Sequence, residues 1–263
     1  MKSRSLEGLD TSLKFIPLFL ISLVVISPAS AELQVIISGG FSGAYKQMLP
    51  TFEKTTGIKV KTLSGASQGS GPQTIKYQLE HGTSADVVIL SREGLTELIS
   101  NNKIMLGTDV DLALAPLGVA VTSGISKPDI SSVTSLKHTL LKTKLIVVPG
   151  STSGIYLTND LFPRLGVSES IRVKVTERGS QATTLLARGE ADMAIQPSSE
   201  LVNVPGIDYV GRLPDDVQLV QVFTAAIVNG TNESASAKKL IQFLTSDQAI
   251  SPIKDNGLDL VKK

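Results

Sequence analysis

The order of elements between residues 33 and 90 constrains this chain more than anything else in it. Leu33-Gln34-Val35-Ile36-Ile37 is a short β-branched run that stops at Ser38-Gly39-Gly40-Phe41-Ser42-Gly43. A helical stretch follows over 45–55, then a second β-rich run at 58–63 and a third at 87–90. A strand that ends in a Gly-rich turn and feeds a helix brings free backbone N–H groups to the mouth of a sheet. The positive end of the helix dipole points the same way. Such a mouth binds anions without a charged side chain. The chain is therefore expected to handle a small anionic molecule, either as its carrier or as its catalyst.

The same alternation continues. Apolar, β-branched runs recur at 117–122, 145–148, 173–176, 193–196 and 218–228, with amphipathic helical stretches at 74–80, 94–101, 156–165, 182–188 and 235–244. Strands alternating with helices predict an α/β chain with mostly parallel sheets. The runs at 117–122 and 218–228 are extended and have no helix immediately before them. They read as two crossover strands joining two lobes with mixed sheets, one of residues 32–115 with 222–263 returning to it, the other of residues 116–221. Ligands on such sheets sit beyond the carboxyl ends of the strands, so the cleft between the lobes is the expected site.

The ends and the composition narrow the class. Lys2, Arg4 and Lys14 precede an apolar stretch at 15–26, which is too short to span a bilayer. Ala29-Ser30-Ala31 then supplies a small-x-small pattern. This reads as a secretory signal peptide, residues 1–31, cleaved after Ala31 to leave a periplasmic protein with no stable membrane anchor. The leader holds three of the 25 basic residues and two of the 24 acidic ones, so residues 32–263 carry 22 of each. A balanced charge gives no basic surface for nucleic acid. The absence of Cys removes disulfides, thiolate nucleophiles and Cys-type zinc sites. The two His residues stand apart, with no His-Glu-x-x-His, no Gly-x-Ser-x-Gly and no Gly-Lys-Ser/Thr phosphate loop. Neither a metal nor a cofactor is expected.

Several segments carry a resemblance: SGGFSGAY, FEKTTGIKVK, LEHGTSADVVILS, LGVAVTSG, PGSTSGIYLTNDLFPRLG and RGSQATTLLARGEADMAIQ. In this order they resemble the type II periplasmic solute-binding proteins, most of all the molybdate-binding branch. The resemblance implies the two-lobed fold. It also implies a small anionic ligand and, for a transport role, a partner ABC permease. The contact positions depart from that branch. Gly40 stands where a serine usually ends the first turn, and Ser67-Gln68-Gly69-Ser70-Gly71-Pro72 replaces the usual serine run. Ser153 precedes Gly154-Ile155-Tyr156 in place of a small apolar residue, and Gln196 stands where a tyrosine closes on the oxyanion. The chain is also similar in length, leader and scaffold to the aconitate isomerases, exported enzymes built on this fold. That similarity implies an allylic proton shift on aconitate or a like carboxylate, without a cofactor.

The residues themselves leave alternatives open. A polycarboxylate calls for several donors and, best, a forked Arg contact. Arg178, before Gly179-Ser180-Gln181, is either that fork or a surface residue capping its loop; Gln181 belongs to the same turn. Arg92 is either a second fork or a solvated first-turn residue. Backbone N–H groups near Gly40, Phe41 and Ser42, and near Ser153 and Gly154, are expected to face the ligand. The hydroxyls of Ser42, Ser67, Ser70 and Ser153 are further donors or, equally, local caps. The proton shift needs a base. Tyr156, one turn into the helix after the ligand turn, is the candidate, with packing as its alternative. His81 reads as a helix C-terminal residue and His138 as an exposed one.

Overall fold

The computed structural model describes Met1 and residues 32–262. The leader assigned from sequence lies outside the described residues. Among the described residues no helix is long and apolar enough to cross a membrane.

Strand β1 (Leu33–Ile37) leads into α1 (Gly39–Thr56), followed by β2 (Val60–Ser64), α2 (Ile75–Glu80), β3 (Val87–Ser91) and α3 (Arg92–Ser100). The long strand β4 (Val110–Thr122) precedes α4 (Val133–Lys142) and β5 (Ile146–Pro149). Then α5 (Thr152–Tyr156) continues through a π turn (Leu157–Leu161) into α6 (Phe162–Arg164). The chain goes on with β6 (Val173–Thr176), α7 (Gly179–Ala187), β7 (Met193–Pro197), β8 (Ile207–Arg212) and β9 (Val220–Ile227). It ends with α8 (Ser234–Leu244), α9 (Ile250–Asp255) and β10 (Asp259–Leu260).

β1, β2 and β3 pair in parallel, β9 runs antiparallel beside β3, and the first half of β4 pairs with β9 and β10. The second half of β4, Leu117–Thr122, leaves that sheet and pairs with β7 and β8 of another, in which β7, β5 and β6 are parallel. The architecture is thus α/β with two mixed sheets sharing one strand. The return path differs from a second continuous strand. A short turn at Asp215–Val217 carries the chain back, and β9 pairs only within the first sheet. Gln218 fastens this crossing: its Oε1 accepts from Leu117 N–H at 2.7 Å and its amide donates to the Leu117 carbonyl at 3.1 Å.

Both faces of the central strands are covered, which is why β3 and β5 read as nearly unbroken apolar runs. In the first sheet Phe41, Met48 and Phe52 of α1 meet Leu240 and Leu244 of α8 on one face. Ile75, Leu95 and Leu98 fill the other. In the second, Leu136 and Leu140 of α4 join Leu157 and Leu161 on one face, and Ala182 and Leu186 of α7 lie on the opposite side. Each large side chain removed from water this way contributes about 1.5–3 kcal/mol.

The glycine run behaves differently from a flexible turn. Helix α1 starts at Gly39, so Gly39, Gly40 and Gly43 are helical residues, and none has positive φ. They are small because something approaches. A side chain on Gly40 would strike the Phe223 ring, one on Gly43 the Asn256 amide, and one on Gly39 the Glu200 carboxylate.

Candidate functional site

The two sheets meet across a cleft of about 740 Å³. Its walls are the amino ends of helices and the carboxyl ends of strands. From the first sheet come Ser38, Gly39, Ser42 and Lys46; from the second, Ser153, Arg178, Gly179 and Glu200. The first turns of α1 and α7 open onto it. The first four N–H groups of a helix have no partner within it, and the dipole adds about half a positive charge at that end. Two such ends facing one cavity favour carboxylates.

Hydroxyls tie the halves together. Ser67 Oγ donates to Ser38 Oγ at 2.9 Å and accepts from the Ser91 N–H at 3.0 Å. Ser91 Oγ and Thr152 Oγ1 lie 2.8 Å apart, and the Gln68 N–H donates to Ser151 Oγ at 3.2 Å. The last two contacts join the halves directly. Gly69 sits against the Gly150 carbonyl with φ +109°. A residue with a side chain rarely adopts that conformation.

Glu200 is the least expected member of the site. It lies three residues past the end of β7, in the short turn Ser198–Glu200. Its Oε1 packs on Gly39 and its Oε2 on Gly179, so the carboxyl group is wedged between the amino ends of α1 and α7. Burial pushes the group up from the ordinary 4.5 to about 7, against the pull of the Arg178 charge. Among the described residues four buried side-chain oxygens have no hydrogen-bond partner: Gln196 Oε1, Ser199 Oγ, Glu200 Oε2 and Gln221 Oε1. Ser199, Glu200 and Gln221 line this cleft, and Gln196 Oε1 shares Gly179 as a neighbour with Glu200 Oε2. Buried polar atoms are normally paired, so unpartnered ones gathered in one place mark a surface built to meet something polar.

Other titratable groups on the cleft wall are Lys46, Arg178 and Tyr45. Arg178 forms none of the ion pairs found among the described residues, leaving its guanidinium available. Tyr45 shares a 3.0 Å hydrogen bond with Thr62, and burial lifts its hydroxyl to about 12.

Of the residues singled out from sequence, the cleft brings together Ser42, Ser67, Ser153 and Arg178. Others lie elsewhere. Tyr156 donates its hydroxyl hydrogen to the Val217 carbonyl at 2.8 Å, accepts from Arg164 at 3.1 Å and packs against the second core. It is away from the cleft wall because the helix starts at Thr152 and turns that face inward. The Arg92 guanidinium is taken by Asp109 and Asp111. Gly40 is covered by Phe223, Phe41 is core, and Gly154 packs on the Pro149 carbonyl. Ser70 is exposed in the turn after β2 and lies off the cleft wall. Gln181 accepts from its own loop at the Glu177 N–H, on an outer surface. Gln196 is buried one layer behind the cleft. His81 stacks on Tyr77 at 3.6 Å and His138 is exposed on α4, both off the cleft. Among the described residues no group of His, Cys, Asp and Glu could hold a metal ion.

Sequence reasoning missed Glu200 and Lys46. The signal available for Glu200 was position: it follows the carboxyl end of a buried run, where α/β sites lie.

The family model for bacterial extracellular solute-binding proteins matches residues 33–259. An aconitate isomerase from Pseudomonas sp. is 36% identical over 227 residues, covering 86% of this chain and 87% of the relative. The molybdate-binding protein ModA of Azotobacter vinelandii is 24% identical over 252 residues, covering 90% of this chain and 94% of its own length. Among solved structures, the periplasmic molybdate-binding protein of Azotobacter vinelandii superimposes with a TM-score of 0.69 at 22% identity, over 88% of this chain and all of that one. The sulfate-binding protein SubI of Mycobacterium tuberculosis gives a TM-score of 0.70 at 18% identity, over 88% and 87% of the two chains. On its sequence and on the arrangement of its sheets, the chain belongs to the bacterial extracellular solute-binding protein family.

Proposed function

We propose that this chain is an exported, cofactor-independent isomerase that interconverts cis- and trans-aconitate by an allylic proton shift. The observation that carries the reading is the 36% identity to an aconitate isomerase across nearly the whole fold. The cleft supports it with two helix amino ends, an available Arg178 and hydroxyls from Ser42, Ser67 and Ser153. Aconitate is a propene with a carboxylate on each carbon. Taking a proton from its methylene and returning one to the vinyl carbon moves the double bond to the other side. The skeleton reads the same from either end, so the product is again aconitate. Its geometry depends on how the cleft holds the rotating arm. Negative charge that builds on the neighbouring carboxylate during the shift is met by helix N–H groups, whose orientation the fold fixes, and by the available Arg178 guanidinium.

In this reading residues 1–31 are a signal peptide cleaved after Ala31, and the protein works in the periplasm. Residues 32–115 with 222–263 form one lobe and 116–221 the other, hinged at β4 and the 213–219 return. Closure around the ligand sheds water and strengthens the anion contacts.

The test is purified protein incubated with trans-aconitate and followed by proton NMR without added metal or cofactor. Appearance of the cis isomer is expected; no conversion at high protein concentration refutes the reading. The ABC-linked carrier is the competing outcome. Calorimetry that shows tight binding of molybdate or a citrate-like acid, with no turnover, establishes it instead.

A further inference from the structure

We propose, resting on the isomerase reading above, that Glu200 is the catalytic residue that carries the proton between the two ends of the substrate. The argument is one of position and inventory. Among the described residues Glu200 is the only carboxylate on the cleft wall, and neither histidine reaches it. The other titratable groups there are Arg178, Lys46 and Tyr45. Arg178 is a permanent cation. Burial makes Tyr45 hold its proton, and its hydroxyl is committed to Thr62. Lys46 is exposed at the rim of α1. That leaves one group able to accept and release a proton near neutrality.

The setting suits the task. The carboxyl group rests against Gly39 and Gly179, the first residues of α1 and α7. Those same helix ends offer N–H groups to the ligand carboxylates, so a ligand held there has its carbon chain next to Glu200. Glu200 Oε2 and Gln196 Oε1 are both buried acceptors without partners, and both border Gly179. A proton on Glu200 supplies the donor this corner lacks. Burial thereby favours the acid form, and the opposing attraction of the Arg178 charge is the smaller effect. A general base works best when its proton affinity lies close to the working pH, and burial has moved this one to about 7.

The step balances without a co-reactant. Glu200 takes a methylene proton: the C–H bond breaks and an O–H bond forms. The released pair becomes the new C=C bond as the old π pair moves onto the vinyl carbon and its carboxylate. The O–H bond then breaks, the proton joins that carbon, and Glu200 returns to its anionic form.

The experiment compares wild type with Glu200→Gln in D2O, following isomerisation and deuterium entry at the methylene by NMR, and trans-aconitate binding by calorimetry. Loss of both rates by about 10²–10⁴-fold, with affinity kept within a few-fold, is expected. In the wild type kcat/KM should rise with pH through an inflection near 7 that no histidine supplies. Glu200→Asp should restore part of the rate and move the inflection. A Gln variant that isomerises within tenfold of wild type overturns the assignment and leaves the isomerase reading intact. A wild type that binds aconitate but neither isomerises nor exchanges deuterium overturns both. If the Gln variant does not fold, the wild-type profile decides: a flat kcat/KM across neutrality overturns the assignment.

Discussion

The buried state of Glu200 predicts a stability effect that needs no substrate. Replacing Glu200 by Gln keeps the shape and removes the charge. The carboxyl loses its proton at about 7 in the folded chain and at the ordinary 4.5 when unfolded. Below 4.5 both states hold the proton, so the native chain carries no penalty for it. Between the two values only the folded state binds the proton, so stability falls as pH rises. Above 7 the full cost of burying the anion is present. At about 1.4 kcal/mol per pH unit, a rise from 4.5 to about 7 amounts to about 3 kcal/mol. The attraction of Arg178 is already contained in that figure, and the other titratable groups on the cleft wall, Lys46 and Tyr45, are the same in both proteins. Thermal unfolding of the two ligand-free proteins should therefore nearly coincide at about pH 4. At about pH 8 the variant should be the more stable, by roughly 6–12 °C in Tm for a chain of this size. Other titrating groups cancel in the comparison. A stability difference that does not change between those two pH values would mean that the carboxyl is not buried between the helix ends, and the structural argument for its proton affinity would fail.

Arg178→Ala should weaken trans-aconitate binding by about 1.5–3 kcal/mol, the worth of a hydrogen bond to a charged group, or roughly 10- to 150-fold in Kd. It should also move the Glu200 inflection upward, because the charge that holds it down is gone; calorimetry and a pH–rate profile read the two effects, and unchanged affinity would return Arg178 to the role of a surface loop residue. Gly69→Ala places a side chain against the Gly150 carbonyl at a φ of +109° and should cost about 1–3 kcal/mol of strain in the closed form. Small-angle scattering with saturating trans-aconitate should show a more open variant with lower affinity, and identical profiles would show that closure does not use this contact.

Much of the fold was legible because buried parallel strands declare themselves. β1, β3 and β5 stand almost where their β-branched runs stand, since both faces of each are covered; β6 does so on its β-branched residues alone, with Lys174 and Val175 exposed. β8 (Ile207–Arg212) was not legible. Its Asp208, Gly211 and Arg212 interrupt the apolar pattern, as its half-exposed residues allow. The first half of β4 was missed for a similar reason: Val110 and Asp111 look like loop. The glycine run was misread in kind. Glycine signals either a left-handed turn or a close approach, and sequence alone does not say which; in the folded chain Phe223, Asn256 and Glu200 press on helical glycines from far along the sequence. The site divides the same way. Ser67 and Arg178 sit at strand ends or helix starts, which the pattern reveals. Glu200 acquires its character from Gly39 and Gly179, and no spacing links 39, 179 and 200 before the chain folds.

The same carboxylate also bears on what this cleft refuses. Relatives with this fold include molybdate- and sulfate-binding proteins, and two facing helix ends are suited to such dianions. In this chain the space against both helix ends already holds Glu200. Above pH 7 it is an anion, and a second anion at about 4 Å meets a repulsion of about 4 kcal/mol at an effective dielectric of 20. That outweighs the roughly 0.3–1 kcal/mol a helix end returns. An extended polycarboxylate meets repulsion too, but it spreads its charge over three separated groups and can set them on Arg178 and the helix N–H groups, farther from Glu200 than a compact dianion filling the same corner. Molybdate cannot spread its charge in this way. Calorimetry at about pH 8 should therefore find molybdate binding to wild type weaker than to Glu200→Gln, and trans-aconitate preferred over molybdate by wild type. Tight molybdate binding by wild type at that pH would show that the carboxylate leaves the helix ends when an anion arrives. Glu200 would then no longer select a carbon acid over an inorganic dianion.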